Sequence, residues 1–155
     1  MAPRKVVIAG TAWFEPGRQP LKLPAVIEPD GLGARMEGFY APERSREGNY
    51  SCWSGRTGSL FFSLEGDGGA AEYRVTVSGS VLPYRPVEVS INGHRIGAMD
   101  GIWKSSVSFV TGRDTLRFGD SNRMTFHTAA SGPTAVDARD VGFSLISVRI
   151  EGVGR

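Results

Sequence analysis

Three aromatic side chains, Tyr40, Trp53 and Trp103, carry the chemistry that this sequence most plainly offers. An aromatic ring stacks on the apolar C–H face of a pyranose while neighbouring planar polar groups take its hydroxyls. Tyr40 falls in a loop and suits that role. Trp53 and Trp103 fall in runs that read as strands, where a place in the core competes with a place on the surface. Glu43, Arg44, Arg46, Glu47 and Arg56 crowd the stretch around Tyr40 and Trp53. Guanidinium forks and carboxylates match paired hydroxyls, and Arg also matches acidic sugars or phosphate. Most of these charges read as a solvated loop whose ion pairs contribute about 0–1 kcal/mol each. Glu43 and Arg56 are retained, so the candidate carbohydrate-binding set is Tyr40, Glu43, Trp53, Arg56 and Trp103.

Other chemistries find less support. Asp137, Arg139 and Asp140 precede the last strand, and the Asp-x-Arg spacing lets Arg139 tie a carboxylate and backbone carbonyls together, a structural clasp before it is a ligand site. A glycosidase needs two carboxyls about 5–10 Å apart across a cleft, and no acidic spacing selects a pair. His94 and His127 have no Ser or Cys partner in a nucleophile pattern, and no G-x-S-x-G elbow occurs. Two histidines and the single Cys52 fall short of a structural zinc set. Asp67 and the run Asp120-Ser121-Asn122 offer oxygens of the kind calcium takes, but such clusters are chiefly turns. No cofactor is expected beyond that calcium alternative.

The elements that must position these groups read as strands. Val87, Val89 and Ile91 alternate with Glu88 and Ser90, and Asn92-Gly93 follows at once. Both residues tolerate positive φ, so 87–96 is expected to be a hairpin with Asn92 and Gly93 at its tip. Leu60, Phe62 and Leu64 point inward on a strand over 59–65, with Phe61 outward. Tyr73, Val75 and Val77 share a face, and so do Trp103, Val107 and Phe109 on a strand over 102–110. Short strands are expected over 50–53, 115–118 and 123–128, with Met124 and Phe126 inward. On the closing strand, 141–153, Ile146, Val148 and Ile150 share one face, and Phe143 and Leu145 point the other way. Residues 5–14 read as a first strand, 21–28 as a second, and 34–49 as a long loop. Pro83 and Pro86 interrupt the ladder between 79 and 87.

About ten short strands at spacings of about 8–12 residues, without a sustained helical period, predict an all-β protein. The architecture expected is a two-sheet antiparallel β-sandwich of jelly-roll type, because long Pro-rich connections suit crossings between sheets. The chain has 155 residues, of which 21 are Gly and 9 Pro. It is expected to form a single domain over 1–155. A net charge of +2 is too small to imply nucleic acid. No apolar run approaches the ~20 residues of a membrane helix. The apolar run 6–9 is shorter than a secretory signal's core of about 7–15 residues, which gives a cytoplasmic expectation for the chain as it stands. The lone cysteine permits no internal disulfide.

Two stretches carry a family resemblance. The first is Gly38-Phe39-Tyr40-Ala41-Pro42-Glu43, followed by Ser51-Cys52-Trp53-Ser54. The second is Asp137-Ala138-Arg139-Asp140-Val141-Gly142-Phe143, leading into the closing strand, and between the two sits a strand ending in Asn92-Gly93. This order, over 38–153, resembles the jelly-roll, carbohydrate-binding-module-like β-sandwiches appended to bacterial glycosyltransferases and other polysaccharide-handling enzymes. Val141 stands where the pattern has Leu, and Cys52 where Arg is common. The resemblance implies a non-catalytic carbohydrate-binding or carbohydrate-associated module, partnered by a glycan or polysaccharide and by a catalytic domain. The alternative is a structural or protein-interaction sandwich that docks or self-associates through sheet edges and through Phe61, Phe143 and Leu145. A glycoside hydrolase comes third.

Overall fold

A computed structural model describes residues 5–8, 11–14, 19–29, 33–44, 48, 50–100, 105–135 and 137–154. The strands among them are β1 (Lys5–Ile8), β2 (Thr11–Phe14), β3 (Pro20–Leu21), β4 (Ala25–Ile27), β5 (Arg35–Phe39), β6 (Glu43–Arg44), β7 (Tyr50–Leu64), β8 (Glu72–Val81), β9 (Val87–Ile91), β10 (His94–Met99), β11 (Ser105–Gly112), β12 (Ser121–His127) and β13 (Phe143–Val153). The described residues contain no helix.

Two antiparallel sheets face each other, as the alternation predicts. One runs β10-β9-β12-β7-β5 and the other β11-β8-β13-β4, and β7 belongs to both. Its later part, from Thr57, pairs with β12, whereas Cys52 and Trp53 pair with Leu145 and Ser144 of β13. The strand thus crosses from sheet to sheet at one corner. Where the sequence suggests a loop and two separate strands, the chain runs extended from Tyr50 to Leu64. A Cβ on Gly58 would lie 2.6 Å from the Phe39 ring.

Leu60, Phe62, Met124, Phe126, Val89 and Ile91 from the first sheet meet Val75, Val77, Val148, Ile150, Phe109 and Ile27 from the second in one core cluster. Fully burying a side chain of this size contributes about 1.5–3 kcal/mol. The hairpin of β9 and β10 forms with Ile91 opposite His94, and Asn92 and Gly93 take φ of 52° and 84°. Both values lie in the left-handed region that a two-residue hairpin turn requires.

The expected loop over 34–49 carries two strands, β5 and β6, both paired with β7, and three further expectations change. Residues 115–118 form no strand; they bend so that Leu116 is buried and Phe118 packs against the core. Lys5–Ile8 and Thr11–Phe14 pair as two antiparallel strands, β1 against β2, instead of forming one strand. On β13 the register slips between Leu145 and Ser147. One extra residue in a strand reverses its facing, so Phe143 and Leu145 join Val148 and Ile150 inside and Ile146 is left half-buried. Phe143 stacks on Phe126 at 5.3 Å between ring centres. Two of the three residues named for a docking face are therefore core. The third, Phe61, does face outward, but the Arg35 guanidinium lies over it at 4.0 Å.

Candidate functional site

The candidate residues gather at the end of the sandwich where β7 crosses. β5 delivers Tyr40 there. Gly38 has φ of 75°, and a Cβ on it would lie 2.1 Å from the Thr57 carbonyl oxygen, so only glycine lets β5 approach β7 this closely. The backbone N–H of Tyr40 then donates to the Trp53 carbonyl at 2.8 Å, joining the two aromatic residues through the main chain. The Tyr40 hydroxyl donates to the Asp140 carbonyl at 2.9 Å.

Arg139 is the centre of the arrangement. Its Nε and Nη2 bind the Asp137 carboxylate at 3.0 and 2.7 Å, and Nη2 also binds Glu43 at 2.7 Å. The guanidinium lies over the Tyr40 ring at 4.7 Å. Hydrogen bonds from Arg139 hold the Asp137 carboxyl below its ordinary value. Asp137 and Glu43 in turn push the guanidinium's own pKa upward. The clasp read from Asp-x-Arg is present on its carboxylate side, and it reaches Glu43, 96 residues away. The carbonyl side of that expectation belongs to another residue. Arg85 donates to the carbonyls of Gly132, Val141 and Pro133 at 2.6, 2.9 and 2.8 Å. It holds both ends of the loop in which Asp137 and Arg139 sit.

Ser54, 1% exposed, accepts the Phe143 N–H through its hydroxyl, and its carbonyl accepts the Gly142 N–H. This ties the β7 crossing to the start of β13. Burial, and secondarily Glu43, pushes the Cys52 thiol up to about 11, so it stays protonated and unreactive at neutral pH.

Tyr40 and Glu43 thus meet at Arg139, and Trp53, half-buried and outside the core cluster, is joined to Tyr40 through the main chain. Arg56 is exposed and turns to Ser131, its Nε donating to that hydroxyl at 3.3 Å. It stands on β7 and contacts the loop that bears Arg139, but lies outside the Arg139 cluster. Trp103 lies outside the described residues. Arg85, Tyr50 and Tyr84 stand outside the candidate set read from the sequence. Tyr50 is 41% exposed, with Arg44 over its ring at 5.6 Å. Only Tyr84, an aromatic between two prolines, left a visible signal in the sequence.

Of the oxygens offered for calcium, that of Asn122 is engaged within the fold. Asn122 is fully buried, and its amide is consumed by Arg117 and Asn92: its oxygen accepts at 2.8 and 2.9 Å and its nitrogen donates to the Arg117 carbonyl. Among the described residues no three Asp, Glu, His or Cys side chains converge. Among the described residues no helix is long and apolar enough to cross a membrane.

No family profile matches the sequence, and no curated protein does. Solved structures do match in shape. A family 35 carbohydrate-binding module from Clostridium thermocellum is similar with a TM-score of 0.57 at 12% identity, over 83% of this chain and 98% of that one. The chain has the fold of such modules. The CBM35 of Paenibacillus barcinonensis gives 0.56 at 10% identity over 83% and 99%. CsCBM6-3 from Clostridium stercorarium, solved with cellobiose, gives 0.52 at 8% identity over 87% and 98%. The two-sheet jelly-roll sandwich read from the strand pattern is the fold of this chain.

Proposed function

We propose that this chain is a non-catalytic carbohydrate-binding module acting beside a polysaccharide-synthesising or -modifying enzyme. One observation carries the reading: Tyr40, Glu43, Asp137 and Arg139 form a tied cluster of aromatic and planar polar groups at the end of the sandwich where Trp53 also lies. A rigid set of donors, acceptors and rings needs little reordering when a sugar arrives. The fold it shares with carbohydrate-binding modules adds support by analogy.

Hydrolysis is disfavoured on the site's own chemistry. A glycosidase needs one carboxyl kept protonated as an acid. Here Asp137 and Glu43 share one guanidinium, and Asp137 is held below its ordinary value. The docking alternative loses Phe143 and Leu145 to the core.

Affinity electrophoresis through gels containing a β-glucan, a galactomannan or a polyuronate tests the proposal. The wild-type protein is expected to be retarded in at least one, and Tyr40→Ala and Glu43→Ala to lose most of that retardation while still folded by circular dichroism. Free migration of the wild type in every gel, or equal retardation of both variants, contradicts it.

A further inference from the structure

A further aromatic residue near this end has no structural reason to be where it is. The Arg85 N–H bonds to the Leu82 carbonyl at 3.1 Å, closing a four-residue turn, Leu82-Pro83-Tyr84-Arg85. Tyr84 occupies its third position with φ of 62°. A turn with proline second and positive φ third takes Gly or Asn there, because an L side chain crowds the neighbouring carbonyl. Tyr84 gains no packing in exchange: it is 93% exposed, far more than Val110 at 51% or Val26 at 48%. A strained residue with nothing buried is a sign of function.

The ring is also held in place. Pro83 and Pro86 stiffen the backbone on both sides. Arg85, the next residue, is bonded to three carbonyls of the loop that bears Asp137 and Arg139. The turn is thereby anchored to the candidate site, and its aromatic ring stands in solvent on a stiff support. Tyrosine gives a large amphipathic contact for only two rotatable bonds, so stacking on it loses little entropy.

From this we infer that Tyr84 is a ligand platform, an added subsite that stacks on the apolar face of a sugar ring of the polysaccharide held by the Tyr40–Arg139 cluster. The inference rests on the carbohydrate-binding reading and extends it along the ligand.

Tyr84→Gly and Tyr84→Trp, run in the same polysaccharide gels and melted in parallel, test it. Tyr84→Gly relieves the backbone, so its melting temperature is expected to hold or to rise by about 2–4 °C. Its affinity is expected to fall about tenfold, within the range of an aromatic contact, whereas Tyr84→Trp keeps the wild-type affinity. Unchanged affinity of Tyr84→Gly overturns the inference. So does a loss of affinity accompanied by a fall in melting temperature, which would make Tyr84 a packing residue, and so does loss of binding in Tyr84→Trp. If Tyr40→Ala loses binding and Tyr84→Gly does not, the platform alone fails. If the wild type binds none of the polysaccharides, the whole carbohydrate reading fails with it.

Discussion

Arg139 draws two carboxylates and an aromatic ring onto one guanidinium. The charge on Asp137 is stabilised in the folded chain relative to its ordinary value of 3.8. A depressed folded pKa contributes stability that is present above the unfolded value and lost as pH falls through the folded one. Asp137→Asn is therefore expected to be less stable than wild type at pH 7, with the gap closing as pH drops below about 4. Urea denaturation at pH 7 and pH 3 checks this, and a gap that widens on acidification contradicts it. Arg85 sits differently, its guanidinium spent on carbonyls. Arg85→Ala leaves the three acceptors without it and is expected to cost about 2–3 kcal/mol. Hydrogen exchange is expected to speed up at the Gly132 and Val141 amides, which pair with each other across the loop. The residue types of Tyr40, Glu43 and Asp137-x-Arg139 were legible in the sequence because rings and charges announce their chemistry. Arg85 was not, since an arginine that serves backbone carbonyls looks like any surface arginine until the loop it holds is in view.

Strands and turns show where local pattern suffices. The β9–β10 hairpin was legible because Asn92-Gly93 sits at the junction of two alternating runs. Asn92 does more than turn. Its side chain donates to the Thr115 carbonyl and to Asn122 and accepts the Arg123 N–H, at 2.8, 2.9 and 2.9 Å. Asn92→Ala loses these bonds and keeps a φ of 52° that alanine tolerates poorly. A loss of about 2–4 kcal/mol is expected in chemical denaturation, against about 1 kcal/mol for Gly93→Ala, where an added Cβ meets nothing within 4 Å. Equal losses would show that the side-chain network contributes nothing. The facing of β13 is hidden in the sequence because a single-residue slip reverses inside and outside, and no residue type near Ile146 advertises it. β7 was read as fragments because its glycines look like turns. Gly58 is there for contact with the Phe39 ring, and just before β13 a Cβ on Gly142 would lie 2.5 Å from the Gly55 carbonyl oxygen, where the closing strand meets the crossing one. Residues 115–118 alternate like a strand but are folded over by bonds from Asn122 to both sides of Arg117.

The whole molecule is a sandwich whose core was largely predictable from alternation, and whose end groups were only partly so. Leu60, Phe62, Met124 and Phe126 identify their own facing. The site depends on contacts of 75 to 100 residues' separation, such as Arg56 to Ser131 and Tyr40 to Asp140. These come into being only when β7 crosses between sheets. Sequence spacing therefore names the participants and cannot group them. Its consequence at this scale is that ligand contacts should be confined to one end of the sandwich. Mapping backbone amide shifts on titration with oligosaccharides cut from the polysaccharide that retards the protein tests this most directly. The account predicts shifts clustered at residues 40–44, 50–53, 84–85 and 131–140. Shifts centred at the opposite end, on Gly66, Gly68 and Phe118, or no shifts at saturating oligosaccharide, would contradict it.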